Sequence, residues 1–199
     1  MVLATGSTVV PMEFTHVSAA GGSVSIRVAG PDSRHAVLLL PGIGDSVDVY
    51  DSVSERLHNS DLKTVAVEDI DGVGDDAVLA LLDELKLSWV HLVGSGAGAE
   101  TAWRLAAKTF GRFASLIAVD RCHPAIADDR GVVRDAECPA VELPTTLVIG
   151  NSAMRPAADN SGRFVYSDFR VVALDGVEHV AADAPAALAT EIVLRTSPW

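Results

Sequence analysis

Apolar positions along the chain fall into short runs, and their period changes from run to run. From Glu13 to Val28, EFTHVSAAGGSVSIRV, they alternate in part around Gly21-Gly22, which predicts a β-hairpin. His35 to Leu40, HAVLLL, is continuously apolar and stops at Pro41-Gly42. Such a run fits a strand buried on both faces, as in a parallel sheet. Helical spacing follows in Asp48 to His58 (Val49, Val53, Leu57) and in Asp75 to Leu85 (Val78, Leu81, Leu82, Leu85). Leu62 to Val67, Trp89 to Val93, Ser115 to Val119, Thr145 to Ile149 and Phe169 to Leu174 read as further strands. Ala99 to Lys108 and Ala184 to Leu194 read as helices. Arg121 to Leu143 is irregular, with Pro124 and Pro139 inside it and Pro144 beside it.

Strands alternating with helices after an opening hairpin predict an α/β fold: a three-layer α/β/α sandwich around a mostly parallel sheet, as one domain over 1–199. In such sheets ligands sit at the carboxyl ends of the strands. The places to look are therefore Pro41-Gly42, Asp69, Gly94 to Gly98, Asp120, Gly150 to Ala153 and the loop after Leu174.

Composition narrows the function classes. With 49% hydrophobic and 21% charged residues, the 199-residue chain can build an ordinary core without staples. Its net charge of -12 repels phosphate backbones and anionic lipid, so neither nucleic acid nor a membrane surface is expected as a partner. Cys122 and Cys138 read as reduced thiols, and the N-terminus lacks the basic start and apolar run of a signal peptide. Together these predict a cytoplasmic protein. His16, His35, His58, His91 and His123 lack metal-ligand spacing, so no metal is expected, and no cofactor is implied.

Three of the strand-end loops carry a family resemblance. Leu38 to Gly44, LLLPGIG, looks like the oxyanion loop of α/β-hydrolases. His91 to Ala106, HLVGSGAGAETAWRLA, resembles their strand, nucleophile elbow and helix. Gly176-Val177-Glu178-His179, then Asp183-Ala184-Pro185 and a helix, looks like the loop of their catalytic histidine. The resemblance runs from about Met12 to the end and implies the α/β-hydrolase fold. The insert 121–143 is too short for a multi-helix lid, which predicts an open crevice or a small flap. The open crevice also leaves apolar surface that a second copy of the chain could cover.

An elbow wants small residues two before and two after the nucleophile. Gly94 and Gly98 meet that requirement, which puts Gly96 in the catalytic place, where no hydroxyl exists. Shifting by one makes Ser95 the nucleophile but flanks it with Val93 and Ala97. The family's usual acid, three residues past Gly150, is Ala153 here, and Asp120 at the preceding strand end is the substitute. His179 remains as the base. The resemblance makes Ile43 and Ala97 the oxyanion donors, with Gly42 and Gly96 around them, and this backbone site survives loss of the serine.

The expectation is a pseudoenzyme: a degenerate triad on a hydrolase-like scaffold, binding a small molecule or a partner at the remnant site. One alternative is an ester or thioester hydrolase that uses Ser95, or water activated by His179, with Asp120 orienting the base. Another is dinucleotide binding through Gly94 to Ala99, GSGAGA, which fits G-x-G-x-x-A with Asp120 as the ribose-binding acid.

Overall fold

The computed structural model describes residues 13–19, 22–128 and 130–196. Eight strands form one sheet: β1 (Glu13–Ala19), β2 (Gly22–Ala29), β3 (Ala36–Leu40), β4 (Lys63–Val67), β5 (Val90–Ser95), β6 (Phe113–Val119), β7 (Thr145–Ile149) and β8 (Phe169–Ala173). Their spatial order is β1-β2-β4-β3-β5-β6-β7-β8. The hairpin β1–β2 and the β2–β4 pair are antiparallel. The pairs from β4 through β3, β5, β6 and β7 to β8 are all parallel. Gly21 of the expected hairpin turn lies outside the described residues.

The continuous apolar runs are explained by helices on both faces. All five residues of β3 are fully buried, and they alternate between two cores. Leu38 and Leu40 pack with helices α2 (Asp75–Glu84) and α3 (Gly96–Lys108). Val37 and Leu39 pack with α1 (Asp51–His58) and α6 (Pro185–Thr196). Each leucine buried this way contributes about 1.5–3 kcal/mol, which is why the run tolerates no polar interruption.

Two elements differ from expectation. Helix α3 starts at Gly96, not Ala99, because the glycine turn is its first turn. Between β7 and β8 the chain forms α4 (Arg155–Ser161) between two short 3-10 turns, where no helix was expected. Its sequence, RPAADNS, mixes good helix formers (Arg155, Ala157, Ala158) with weak ones (Asp159, Asn160, Ser161), and seven residues are too few for a helix to stand alone. Burial of Ala158 and a hydrogen bond from the Ser161 hydroxyl to the Ala157 carbonyl (3.0 Å) hold it instead. Another short helix, α5 (Val180–Asp183), sits between β8 and α6.

The core contains a buried histidine paired with a serine. His91 on β5 is 7% exposed, and its Nδ1 is 2.8 Å from the Ser115 hydroxyl on β6. Burial, with the neighbouring His35, pushes the His91 imidazole down to about 4 from 6.5. The unfolded chain therefore binds a proton near pH 6.5 that the folded chain refuses until about pH 4. That proton costs stability as pH falls through this window. The advantage of the wild type over His91→Gln should shrink by up to about 1.4 kcal/mol per pH unit between those limits. Urea titrations at several pH values measure it, and parallel stability curves for the two proteins would refute it.

A second prediction comes from close backbone packing. A Cβ on Gly98 would lie 2.3 Å from the Leu40 carbonyl oxygen and 2.5 Å from that of Pro41. Backbone cannot yield as a side chain does, so Gly98→Ala should lower stability by about 3 kcal/mol, at the upper end of overpacking costs. A urea midpoint within error of wild type would refute this.

Candidate functional site

The turn that ends β5 and opens α3 is shaped by three glycines. A Cβ on Gly94 would meet the Gly98 carbonyl oxygen at 2.4 Å and the Ala99 nitrogen at 2.6 Å. Gly98 is pressed against the end of β3, and its N–H donates to the Pro41 carbonyl at 3.1 Å. Gly96, at the crest, has φ +52°, and a Cβ there would point at the Gly42 Cα, 3.3 Å away. The residues two before and two after Gly96 are thus the ones that backbone contacts restrict to glycine.

Ser95 is the last residue of β5, and its hydroxyl lies 2.7 Å from the Tyr50 hydroxyl. Tyr50 is 2% exposed and donates its only proton to the Leu40 carbonyl at 3.0 Å. A carbonyl cannot donate, so Ser95 must donate to Tyr50. Burial pushes the Tyr50 phenol well above its ordinary value, so it stays neutral and cannot act as a base. Among the described residues no hydrogen bond joins Ser95 to His179.

Asp120 follows β6 with φ +53°, and its Oδ1 accepts the Gly150 N–H at 2.7 Å. Burial pushes its carboxyl up, while the Gly150 hydrogen bond and the charges of Arg121 and His179 pull it down. Asp120 and His179 are thus in electrostatic reach of each other. His179 is exposed just before α5, and its backbone N–H donates to Asp183 Oδ2 at 3.0 Å. Ala153 is exposed in a 3-10 turn and donates its N–H to Asn151 Oδ1 at 2.9 Å.

On the other side of the crest lies the loop after β3. Gly42 donates its N–H to Asp45 Oδ2 at 2.7 Å. The backbone N–H groups of Ile43 and Ala97 have no acceptor among the described residues. Ile43 turns its side chain to solvent, 67% exposed. Asp45, Asp48, Ser52 and His179 line an open crevice of about 440 Å³ beside this loop.

A second crevice, about 560 Å³, opens at the ends of β6, β7 and β8. Asp120, Gly150, Asn151 and Glu178 line it from the strand ends, and Arg121, Arg130 and Arg134 from the insert. Among its described residues the insert forms no helix, yet it is tied down at several points. Glu100 Oε1 accepts from Arg121 Nε (3.1 Å) and pairs with Arg134 Nε (3.0 Å). Trp103 Nε1 donates to the Arg121 carbonyl at 2.9 Å. His123 is fully buried, with Nδ1 accepting from the Ala125 N–H (3.2 Å) and Nε2 facing the Pro139 carbonyl (2.9 Å). Its ring stacks on Phe164 at 4.5 Å. Both nitrogens are engaged, so His123 fastens the insert and does not activate its neighbour Cys122. Cys122 and Cys138 are both buried and are not joined in a disulfide.

Sequence reasoning missed Tyr50 and Asp45. Neither had a signal: Tyr50 reaches Ser95 from 45 positions away, and Asp45 is one acid among many. The Tyr50 bond makes a stability prediction. Tyr50→Phe leaves the Leu40 carbonyl and the Ser95 hydroxyl without their partner and should cost about 1–3 kcal/mol. Ser95→Ala leaves the Tyr50–Leu40 bond in place and should cost less than half as much. Equal losses in thermal or chemical denaturation would contradict this arrangement.

No protein-family model matches the chain, and no curated protein matches it in sequence. Solved structures do. The carboxylesterase CesB from Bacillus subtilis superimposes with TM-score 0.77 at 15% identity, covering 94% of this chain and 92% of that one. Epoxide hydrolase A from Mycobacterium thermoresistibile gives TM-score 0.72 at 13% identity, covering 93% and 98%. An epoxide hydrolase from hot-environment metagenomes gives 0.75 at 13%, covering 95% and 100%. Among the described residues no helix is long and apolar enough to cross a membrane. Sheet order, helix placement and these superpositions agree: the chain has the α/β-hydrolase fold.

Proposed function

We propose that this protein is a pseudoenzyme of the α/β-hydrolase fold, which holds a small neutral ligand at the remnant site and forms no covalent acyl intermediate. The observation that carries the reading is the geometry of Gly96. It sits at the crest with φ +52°, between two glycines locked by backbone contacts, and carries no hydroxyl. Covalent acyl transfer requires a nucleophile there. Ser95 offers no replacement in this reading, because its proton is committed to Tyr50.

The ligand class follows from the loop after β3 and the start of α3 that faces it. The free N–H groups of Ile43 and Ala97 favour an acceptor oxygen. The Asp45 carboxylate is bonded to the adjacent Gly42 N–H, which puts negative charge beside those donors. That charge opposes an anion, including the oxyanion of a tetrahedral intermediate, and favours a neutral carbonyl. The same glycine contacts argue against a dinucleotide cradle, since Gly98 is pressed on β3 and is not open to a pyrophosphate. The acidic composition supports the expectation of neither nucleic acid nor membrane as partner.

A second reading has one observation in its favour. The charge of His179 acts on the Asp120 carboxyl, an arrangement that suits a base activating water without a covalent step. Assays with short p-nitrophenyl esters separate the readings. The wild type should show no turnover above buffer, and His179→Ala no change. Turnover that disappears in both Ser95→Ala and His179→Ala would overturn the proposal. Turnover that survives Ser95→Ala but not His179→Ala would establish the water route.

A further inference from the structure

A cavity of about 800 Å³ lies at the opposite end of the parallel strands. Its walls are the residues that begin β3, β4, β5 and β6, with the loop after α2 and the end of α6. Strand β5 separates it from the glycine crest by about 17 Å of backbone. It is therefore independent of the remnant site.

Its charge runs against the rest of the molecule. In a chain of net charge -12, Arg34, Lys63, Lys86 and Arg195 line this cavity, and Asp32 is the one carboxylate that does. Arg195 is committed to the wall: it donates to the Thr146 hydroxyl and the Thr145 carbonyl and pairs with Asp168. Arg34, Lys63 and Lys86 have no ion-pair partner among the described residues. Lys86 adopts φ +55° after α2, a place where glycine is cheaper, so the lysine is kept at a local cost of about 1 kcal/mol.

The cavity also offers a ring-binding face. Trp89 is 66% exposed, and its Nε1 is fixed to the Phe113 carbonyl at 3.1 Å, which holds the indole in place. Leu85 and Leu87 extend that apolar wall. His91 is also a lining residue, with Nδ1 taken by Ser115 and no partner for Nε2 among the described residues. A fixed exposed indole, unpaired cations and one free imidazole nitrogen in a cavity of ligand size match a planar ring joined to an anionic group.

We propose that this cavity is a binding site for a nucleoside phosphate, its base against Trp89 and its phosphate among Arg34, Lys63 and Lys86. Calorimetric titration of the full chain with AMP, adenosine and inorganic phosphate tests it. AMP should bind more tightly than either fragment and should quench Trp89 fluorescence. Arg34→Glu/Lys86→Glu, both at exposed positions, should weaken AMP binding by about tenfold or more. Arg56→Glu/Arg163→Glu changes net charge equally at exposed positions away from the cavity and should leave AMP binding within about twofold. Absence of AMP binding to a folded wild type overturns the proposal. So do equal weakening in both double variants, no weakening in either, and phosphate binding as tightly as AMP.

Discussion

The end of β3 and the start of α3 meet backbone to backbone, and the carboxyl edge of the sheet is organised around that contact. Parallel pairing sets Leu40 beside Gly94, so the chain leaving β3 runs directly over the glycine turn. Nothing larger than hydrogen fits at Gly94 or Gly98. Once those positions are fixed, the crest falls on Gly96, and the loop carrying Gly42 is held against it. The Leu40 carbonyl, which would otherwise be left at a buried strand end, takes the Tyr50 proton, and Tyr50 in turn takes that of Ser95. One close approach thus decides which residue crowns the turn and where the neighbouring hydroxyl points.

Much of this is legible in the order of residues. AVLLL announces a two-faced strand because every one of its positions is buried, and the glycine spacing around residue 96 announces the turn because each glycine answers a contact. Asp120 and His179 stand at strand ends where a parallel sheet gathers chemistry. The illegible parts rest on tertiary contacts. Helix α4 owes its existence to packing, since a seven-residue segment of mixed propensity does not hold a helix by itself. Tyr50 and Asp45 come from the segment between β3 and α1, and only the folded chain brings them to Ser95 and Gly42.

The crevice beside the glycine crest and the cavity at the opposite end of the strands have contrasting electrostatics. The crevice beside the glycine crest is bordered by Asp45 and Asp48, whereas the opposite end gathers unpaired lysine and arginine. Such a contrast gives charged ligands opposite preferences for these two crevices. Net charge alone, which is strongly negative, hides it.

Glu100 has a mechanical consequence. This one carboxylate, on the first turns of α3, holds the insert at both Arg121 and Arg134. Everything between those arginines is therefore a closed loop whose ends are pinned to the helix that carries the crest. Releasing that single residue would undo both arginine ties at once and leave the insert to its remaining fastenings at Trp103 and His123. The insert behaves as a hasp with several pins, and the part of its stiffness that passes through Glu100 is inherited from the helix beneath it.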